Sequence, residues 1–341
     1  MTSPAVRKEV LDYIDAVRSE KVGLATVCRY LELLPRTIQN WRKIGLTDRR
    51  KGSQKVVAGK FNLDDELRLY QAATTARFAD ATPRQIIAKL LEEGSYYGSP
   101  STLYRVLRSR NALKHRQESK KPVSSNGLNR ILVTGPDQAW SWDITFLKTD
   151  VRGLFLYAYV IIDVYSRKIV GWTIEDHESD ACAQVLFRRV LRDRHVLPVF
   201  IHADNGNPMR GATLGVLLDD LGVTRSYSRP RRSNDNAIIE SWFKTLKYSV
   251  CYPSHFENIY QARVWFSAFA DGYNNRHMHS GLDYVTPEEA HRGVALHLYD
   301  KRNKVLELAR LANPGRWKQG KTMAYGHPPI TSFYRPIKKA S

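Results

Sequence analysis

Three strand-like segments follow one another from Gln138, and they constrain the fold of this chain more than any other feature. The first, AWSWDITFLKT, alternates the polar residues Ser141, Asp143 and Thr145 with large apolar residues on the other face. LFLYAYVIIDV and KIVGWTI follow, joined by a short turn at YSR, which predicts a meander. Helices then alternate with the short strands PVFIHAD and GVTRSYS. The order of these elements predicts an α/β domain with a mixed sheet.

The N-terminal segment has the pattern of a small helical module. Ser3-Pro4 predicts a helix start, and GLATVCRYLELLPRTIQNWRK splits into a short helix, a turn and a second helix from Pro35. Helix-turn-helix proteins place the start of such a second helix in the major groove of DNA. Any small three-helix module would show the same apolar spacing, so that alternative stays open. The outward side chains predicted to contact DNA are Arg36, Thr37, Gln39, Asn40, Arg42 and Lys43.

A second module resembles the first in outline. Thr82-Pro83 predicts one helix, and Ser99-Pro100 predicts another over SPSTLYRVLRSR. Leu103, Val106 and Leu107 are predicted to face inward on this helix. Two modules in tandem would read a longer site than one. The outward side chains predicted to contact DNA here are Ser101, Thr102, Tyr104, Arg105 and Arg108.

The positive charge of the chain lies at its two ends. The net charge is +19, with +11 in residues 1–121, −1 in residues 122–290 and +9 in residues 291–341. Basic flanks suit phosphate contacts and counterion release, although solubilising surface charge is the alternative.

Length and composition indicate two or three soluble domains. The 341 residues contain no apolar stretch long enough for a membrane span, and the start lacks the apolar core of a secretory signal. Three widely spaced cysteines do not form a disulfide framework. We therefore expect a cytoplasmic protein.

Three acidic residues occur in settings that favour presenting a carboxylate rather than burying it. Asp143 lies in a strand, Asp204 ends the strand PVFIHAD, and Glu240 lies on a helix, with sixty and then thirty-five residues between them. Carboxylate oxygens are ligands for a hard divalent cation, and a nucleic-acid partner would make phosphodiesters the substrate. Taken singly, Asp143 could be a solvated acid, Asp204 a turn former and Glu240 the partner of Lys244 in a surface ion pair.

The helix that carries Glu240 has a polar face. Asn236, Glu240, Lys244 and Lys247 are spaced to share that face, and Asp235 or Asn236 can cap the helix. The apolar residues of the same helix can pack on the sheet.

The stretch Trp142–Pro287 resembles the catalytic core shared by bacterial insertion-sequence DDE transposases and retroviral integrases. The resemblance rests on WDIT, YVIIDVYSRKIVGW, HADNG, SRPRRSNDNAIIESWFKTLK and YNNRHMHSGLDYVTPEEA, and on the thirty-five-residue spacing before Glu240. PRQIIAKLLEEGSYYGSPSTLYRVLR also looks like the second helix-turn-helix of the insertion-sequence enzymes.

The resemblance implies a ribonuclease H-like, mixed five-stranded sheet flanked by helices and preceded by all-α helix-turn-helix modules. In it Asp143, Asp204 and Glu240 are the catalytic, metal-binding acids for two Mg²⁺ ions, with Mn²⁺ as a substitute. Lys244 and Lys247 lie where relatives hold element-end DNA, and we expect Asn236, on the same helix face, to contact that DNA too. It implies a transposase that binds terminal inverted repeats and catalyses Mg²⁺-dependent strand cleavage and transfer. The implied partners are double-stranded DNA, both element ends and target, and further copies of the chain in a dimer or higher oligomer at the nucleoid. The alternatives are a DNA-binding regulator with an inactive core and an RNA-strand nuclease.

Several histidines and one further acid were weighed as ligands. His277 and His279 are assigned no metal, and His202 supports the site or simply packs. Asp163 is interpreted as a turn residue. The predicted divisions are a first module (1–48), a basic linker (49–62), a second module (63–112), a basic linker (113–136), an integrase-like core (137–290) and a basic tail of one helix and coil (291–341).

Overall fold

The computed structural model describes residues 3–46, 61–113, 130–206, 208–228, 236–317, 324–326 and 331–334. The chain divides into two compact units, residues 1–60 and 61–341. Within the described ranges, each helix is too short or too polar to cross a lipid bilayer. Most of both predicted linkers, the cap residue Asp235 and most of the predicted terminal coil lie outside the described residues.

The first unit contains the predicted helix, short helix, turn and second helix. They are α1 (Pro4–Ser19), α2 (Leu24–Tyr30) and α3 (Pro35–Ile44). The Ser3 hydroxyl accepts a hydrogen bond from the first turn of α1, which confirms the predicted cap. A small core of Ile14, Val27, Cys28 and Ile38 joins the three helices.

The second unit combines helices with two sheets. Its helices are α4 (Leu63–Ala73), α5 (Pro83–Glu92), α6 (Pro100–Ser109), α7 (Asp180–Arg194), α8 (Ala212–Asp220), α9 (Ala237–Lys247), α10 (Ile259–Asn275), α11 (Pro287–His291) and α12 (Ala295–Ala312). Its strands are β1 (Arg130–Val133), β2 (Ala139–Lys148), β3 (Phe155–Asp163), β4 (Ile169–Glu175), β5 (Phe200–Ala203), β6 (Thr224–Tyr227) and β7 (Thr331–Tyr334).

The main sheet has five strands in the order β4-β3-β2-β5-β6. The first three form the predicted antiparallel meander, whereas β5 and β6 are added in parallel to β2. This order confirms the mixed, ribonuclease H-like sheet. The strands β1 and β7 pair separately, antiparallel to each other.

Both faces of β2 are covered by helices. Trp140 and Trp142 pack with the core residues of α7 and α8, and Leu147 packs on the opposite face with those of α9 and α10. The predicted alternation is present, and the polar face is covered as well: Ser141 and Thr145 there are only 2% and 5% exposed. The polar side chains of β2 therefore face α9, not solvent.

The second helical module is part of a larger hydrophobic core. Leu91 of α5 and Leu103 of α6 belong to the same buried cluster as Leu282, Tyr299 and Leu306 from the C-terminal part of the chain. The tail helix α12 forms as predicted, but it docks on the module instead of standing apart from it.

Gly171 of β4 lies where α7 approaches the sheet most closely. A Cβ at this position would lie 2.2 Å from Cγ2 of Val190, which is well below a normal contact. We expect Gly171→Ala to lower the free energy of unfolding by about 1–3 kcal/mol, because overpacking forces the helix away from the sheet. Urea unfolding measures this change.

The matched control is the double variant Gly171→Ala/Val190→Ala. Removing the Val190 methyl groups makes room for the new one, so its loss of stability should be smaller than the sum of the two single losses. Strict additivity would contradict the predicted clash.

Candidate active site

Strand pairing brings Asp143 and Asp204 side by side. The parallel register aligns Ser141 of β2 with His202 of β5. Asp143 and Asp204 each follow two residues later, so their side chains point to the same face of the sheet. The two neighbouring strands that carry them are about 4.8 Å apart. Asp204 follows the last residue of β5, which places its carboxylate at the edge where the chain leaves the sheet.

A buried hydrogen bond sets α9 against β2. The Ser141 hydroxyl donates to Oδ1 of Asn236 over 2.6 Å at the start of the helix. From Asn236 to Glu240 the helix rises by about 6 Å, and from Ser141 to Asp143 the strand rises by about 6.6 Å. Moving along both elements from this bond therefore brings Glu240 opposite Asp143.

The far end of α9 supports the same alignment. The charge of Lys148, at the end of β2, contributes with burial to lowering the pKa of Lys247, in the last turn of α9. The helix thus runs along β2 in the same direction as the strand, and its polar face lies above the acids.

The three carboxylates repel one another. Burial, followed by the charges of Asp204, Glu240 and Glu178, raises the pKa of Asp143 to about 7, although the Ile144 amide donates to its Oδ1 over 2.8 Å. Burial and the Asp204 charge also raise the pKa of Glu240, while the Lys244 charge opposes the shift. Uncompensated like charges on oxygen donors are the chemistry that a hard divalent cation satisfies.

A tight turn fixes the Asp204 carboxylate. Its Oδ1 accepts a hydrogen bond of 2.8 Å from the Gly206 amide. A Cβ on Gly206 would lie 3.1 Å from that oxygen and 3.2 Å from the Met209 sulfur, so glycine leaves room for the turn. Asp204 is therefore a turn former, as its sequence context allows, and the turn orients it beside Asp143.

A different group gathers potential ligand atoms more tightly. Among the described residues, Asp137, Asp163 and His291 bring three such atoms within 4.8 Å of one another. Arg194, however, donates to Asp137 Oδ2 over 3.0 Å and lies 2.7 Å from Nε2 of His291. Asp163 also accepts from the Ser166 amide and hydroxyl, both at 2.6 Å, which confirms it as a turn residue.

This group, the Asp137 cluster (Asp137, Asp163, Ser166, Arg194 and His291), is charge-compensated. Burial opposes ionisation of Asp137, but hydrogen bonding to His291 and the charge of Arg194 lower its pKa to about 2. An arginine already occupies the position that a cation would take. The cluster therefore joins α11 to the start of β2, the β3–β4 turn and the end of α7.

The predicted DNA contacts of the two modules lie at the surface with few exceptions. On α3, Thr37 is half-buried and Arg42 forms an ion pair with Asp15 of α1. On α6, Thr102 is half-buried and its amide donates to the capping Ser99. The exposed members of the predicted sets are Arg36, Gln39, Asn40, Arg42, Lys43, Ser101, Tyr104, Arg105 and Arg108.

On α9 the prediction needs one correction. Lys244 and Lys247 are exposed, but Asn236 is only 3% exposed and binds Ser141 inside the protein. Its side chain makes no capping hydrogen bond either, although it holds the cap position. Asn236 is thus an internal residue that positions α9, because burial removes it from any DNA surface.

The structure shows the surroundings of His202, His277 and His279. His202 is buried between the sheet strands, with its ring nitrogens 3.1 Å from the Ser226 hydroxyl and 3.4 Å from that of Ser228. His277 stacks on Tyr273. Burial, with the charges of Arg167 and His277, lowers the pKa of His279 to about 3.

Sequence reasoning missed Glu178, Lys148 and the Asp137 cluster. Glu178 acts on Asp143 from the loop before α7, and Lys148 lies beside Lys247. Asp137 and His291 are more than 150 residues apart in the chain. No local pattern connects such partners, so only the folded chain identifies them.

Comparison with known proteins identifies an integrase core domain, matched by one family model over residues 133–233 and by another over residues 221–287. The chain is 34% identical over 185 residues to the transposase for insertion sequence element IS904 of Lactococcus lactis subsp. lactis (strain IL1403), covering 53% of this chain and 72% of the relative. It is 34% identical over 176 residues to the transposase InsF for insertion sequence IS3A of Escherichia coli (strain K12), covering 49% of this chain and 59% of that relative.

Among solved structures, a simian T-cell lymphotropic virus intasome in complex with PP2A regulatory subunit B56 gamma matches with a TM-score of 0.41 and 17% identity. That match covers 61% of this chain and 74% of the other. The HTLV-2 integrase catalytic core domain in complex with magnesium, in its trimeric form, matches with a TM-score of 0.36 and 16% identity, over 46% of this chain and 97% of that one.

The raised pKa of Asp143 predicts how the metal-free protein responds to pH. Because the folded-state pKa is about 7 and the ordinary value is 3.8, the fold loses stability as the pH rises through about 7. Asp143→Asn should therefore be more stable than the wild type near pH 8, by about 2 kcal/mol, or roughly half of the ~4 kcal/mol carried by such a shift. The gain should vanish below about pH 4, where Asp143 is protonated in both states.

Urea unfolding in a chelator at several pH values measures this gain. Adding a divalent cation at the higher pH provides the control, because it should stabilise the wild type and not the variant. A gain that stayed constant with pH would contradict the electrostatic account of Asp143.

Proposed function

Because the chain belongs to the family of insertion-sequence transposases with an integrase core domain, we propose that it binds the terminal inverted repeats of its mobile element and catalyses Mg²⁺-dependent strand cleavage and strand transfer. The family makes the chain a DDE transposase that acts in DNA transposition. The repeats, the magnesium and the strand-transfer step belong to the proposal.

One observation carries this function: three separate elements bring mutually repelling carboxylates to one edge of the sheet. β2 supplies Asp143, the end of β5 supplies Asp204, and α9 supplies Glu240. These acids are the residues that would hold two Mg²⁺ ions, or Mn²⁺ in their place. Bound there, the ions would lower the pKa of the attacking hydroxyl group and neutralise charge on the leaving oxygen.

The protein itself positions the catalytic carboxylates and the DNA. Asp143 is held in the centre of the sheet and Asp204 in a glycine turn, so neither carboxylate has to be ordered when substrate binds. The exposed ammonium groups of Lys244 and Lys247 follow Glu240 on α9, where they can bind phosphates of the element end. Water is the first nucleophile, and the freed 3′-hydroxyl group attacks a second phosphodiester.

Sequence recognition is proposed for α3 and α6. Each follows a shorter or equal helix and a turn, as the recognition helix does in helix-turn-helix proteins. Both helices present arginine and amide or hydroxyl side chains to solvent. Two element ends must be joined, so we propose a homodimer or a higher oligomer on DNA, acting at the nucleoid.

Asp204→Asn tests the catalytic role of the acids. The amide keeps the shape of the side chain and the turn but removes the charge that would bind metal. We expect cleavage and strand transfer to fall by several orders of magnitude while binding of end DNA stays within a few-fold. A labelled duplex with one element end, incubated with Mg²⁺, reports both.

The matched control is Asp220→Asn, an exposed acid at the end of α8, which should retain full activity. Strand transfer by Asp204→Asn at the wild-type rate would contradict the proposed chemistry. A wild-type protein that shifts end DNA but never nicks it would instead be a regulator with an inactive core.

Arg105→Ala tests whether α6 binds DNA. Arg105 is exposed on α6, the helix proposed to enter the groove. Loss of a phosphate contact should weaken binding to specific and unrelated DNA alike and reduce the slope of log K against log[salt] by about 1. Loss of a base contact should instead cost about 1–3 kcal/mol at one position of the repeat.

Fluorescence anisotropy at several salt concentrations separates these outcomes. Arg188→Ala, which removes an exposed arginine from α7, is the control and should leave both affinity and slope unchanged. Equal behaviour of the two variants would exclude Arg105 from the DNA surface.

A further inference from the structure

The second helical module is fastened to the C-terminal part of the chain by a buried ion pair. Glu92, at the end of α5, is bound by the guanidinium of Arg302 from α12, whose side chain is 0% exposed. Arg302 also donates to the backbone carbonyls of Asp283 and Tyr284, both over 2.6 Å. The Tyr325 ring lies 4.8 Å from its guanidinium carbon.

These contacts make Arg302 a junction between three segments. It compensates the Glu92 carboxylate, holds the turn before α11 and packs beneath Tyr325 while lying on α12. Around it, side chains of α5, α6, α11 and α12 form one hydrophobic cluster. A buried charge with this many partners tolerates little displacement, because any movement exposes an unpaired charge to the interior.

The C-terminal part is fastened in turn to the catalytic sheet. His291, at the end of α11, lies in the Asp137 cluster between the start of β2 and the β3–β4 turn. Lys168, from the same turn, forms an ion pair of 2.5 Å with Glu288 of α11. Gln85 of α5 donates to the Met278 carbonyl over 2.9 Å, which adds a direct contact from the module.

A continuous path of packed residues therefore runs from α6 to β2. It passes from α5 through Arg302 to α12, then through α11 and His291 to the strand that carries Asp143. Residues 114–129 form the covalent connection between α6 and β1 and lie outside the described residues. A close-packed interior is hard to compress, so elements joined by it keep fixed relative positions. The path therefore fixes the position of α6 relative to the three acids.

We propose that Arg302, with Glu92 and His291, is a positioning residue that fixes the recognition helix α6 relative to the three acids. The distance along the DNA between the bases read by α6 and the phosphodiester that is cut is then set by this packing, and not by the length of the 114–129 connection. Successive phosphates of a strand advance by only about 3.4 Å along the DNA axis, so a small displacement of α6 would select a different phosphodiester. This inference rests on the proposed cleavage at an element end.

The test maps the cut on a 5′-labelled duplex carrying one element end, with the full-length protein and Mg²⁺. The first variant carries a Gly-Ser-Gly-Ser insertion within residues 114–129. The second is Glu92→Gln/Arg302→Met, which removes both buried charges while preserving most of their volume. Lys301→Ala, an exposed neighbour of Arg302 on α12, is the matched control.

The wild type, the insertion variant and the control should cut at the same single phosphodiester with kcat/KM within a few-fold. The double variant should bind end DNA normally but distribute its cuts over neighbouring phosphodiesters. A base pair inserted into the DNA between the bases protected by α6 and the cut should move the wild-type cut by one position, because the protein measures from α6.

A shifted or abolished cut in the insertion variant, together with a single cut in the double variant, would overturn the proposal. If circular dichroism shows the double variant to be unfolded, Arg302→Lys replaces it. Lysine keeps the charge but loses the forked contacts, so the same spread of cuts is expected and a single cut overturns the proposal. A wild type that cuts no end DNA would refute the proposed function itself. That result differs from a single cut site in the double variant, which contradicts only the positioning role of Arg302.

Discussion

The parallel pairing of β5 with β2 is the interaction on which the rest of the structure depends. It aligns Asp204 with Asp143, and it leaves β2 as the central strand with helices on both faces. The Ser141–Asn236 hydrogen bond then sets α9 along the same strand, which places Glu240 above the two aspartates. A slip of β5 by one residue would turn Asp204 to the opposite face of the sheet and separate the acids.

Two groups of acidic residues lie at the same sheet: the charges are balanced in one group and repel one another in the other. In the Asp137 cluster, Arg194 and several hydrogen bonds compensate the carboxylates, and the cluster stabilises the junction with α11. Beside it, Asp143 is crowded by Asp204 and Glu240 and has a raised pKa. The fold thus leaves like charges close together at the three acids proposed to bind a cation, and it balances the charges in the cluster that joins elements.

Much of the site was predictable because its signals are local. Alternation predicted β2, a cap and a proline predicted α5 and α6, and the residue types and spacing marked Asp143, Asp204 and Glu240. The predicted DNA contact of Asn236 was wrong, because Asn236 is buried by a hydrogen bond to Ser141, which is 95 positions away in the chain. The docking of α12 on α5 was missed for the same reason: the basic composition of the tail favoured phosphate contacts, whereas Arg302 is compensated by a carboxylate distant in the chain.

The sequence by itself predicted the five strands of the main sheet, most of the helices and the fold class, showed where the basic flanks lie, and marked Asp143, Asp204 and Glu240 as candidate metal ligands. These follow from short-range periodicity, capping and charge, which each segment carries independently of the others. Tertiary structure alone decided which acids repel and which are compensated, which polar residues are buried, and how the second module is joined to the catalytic sheet. Those properties arise from contacts between residues remote in the chain, where burial and the nearness of other charges set the energy of each group.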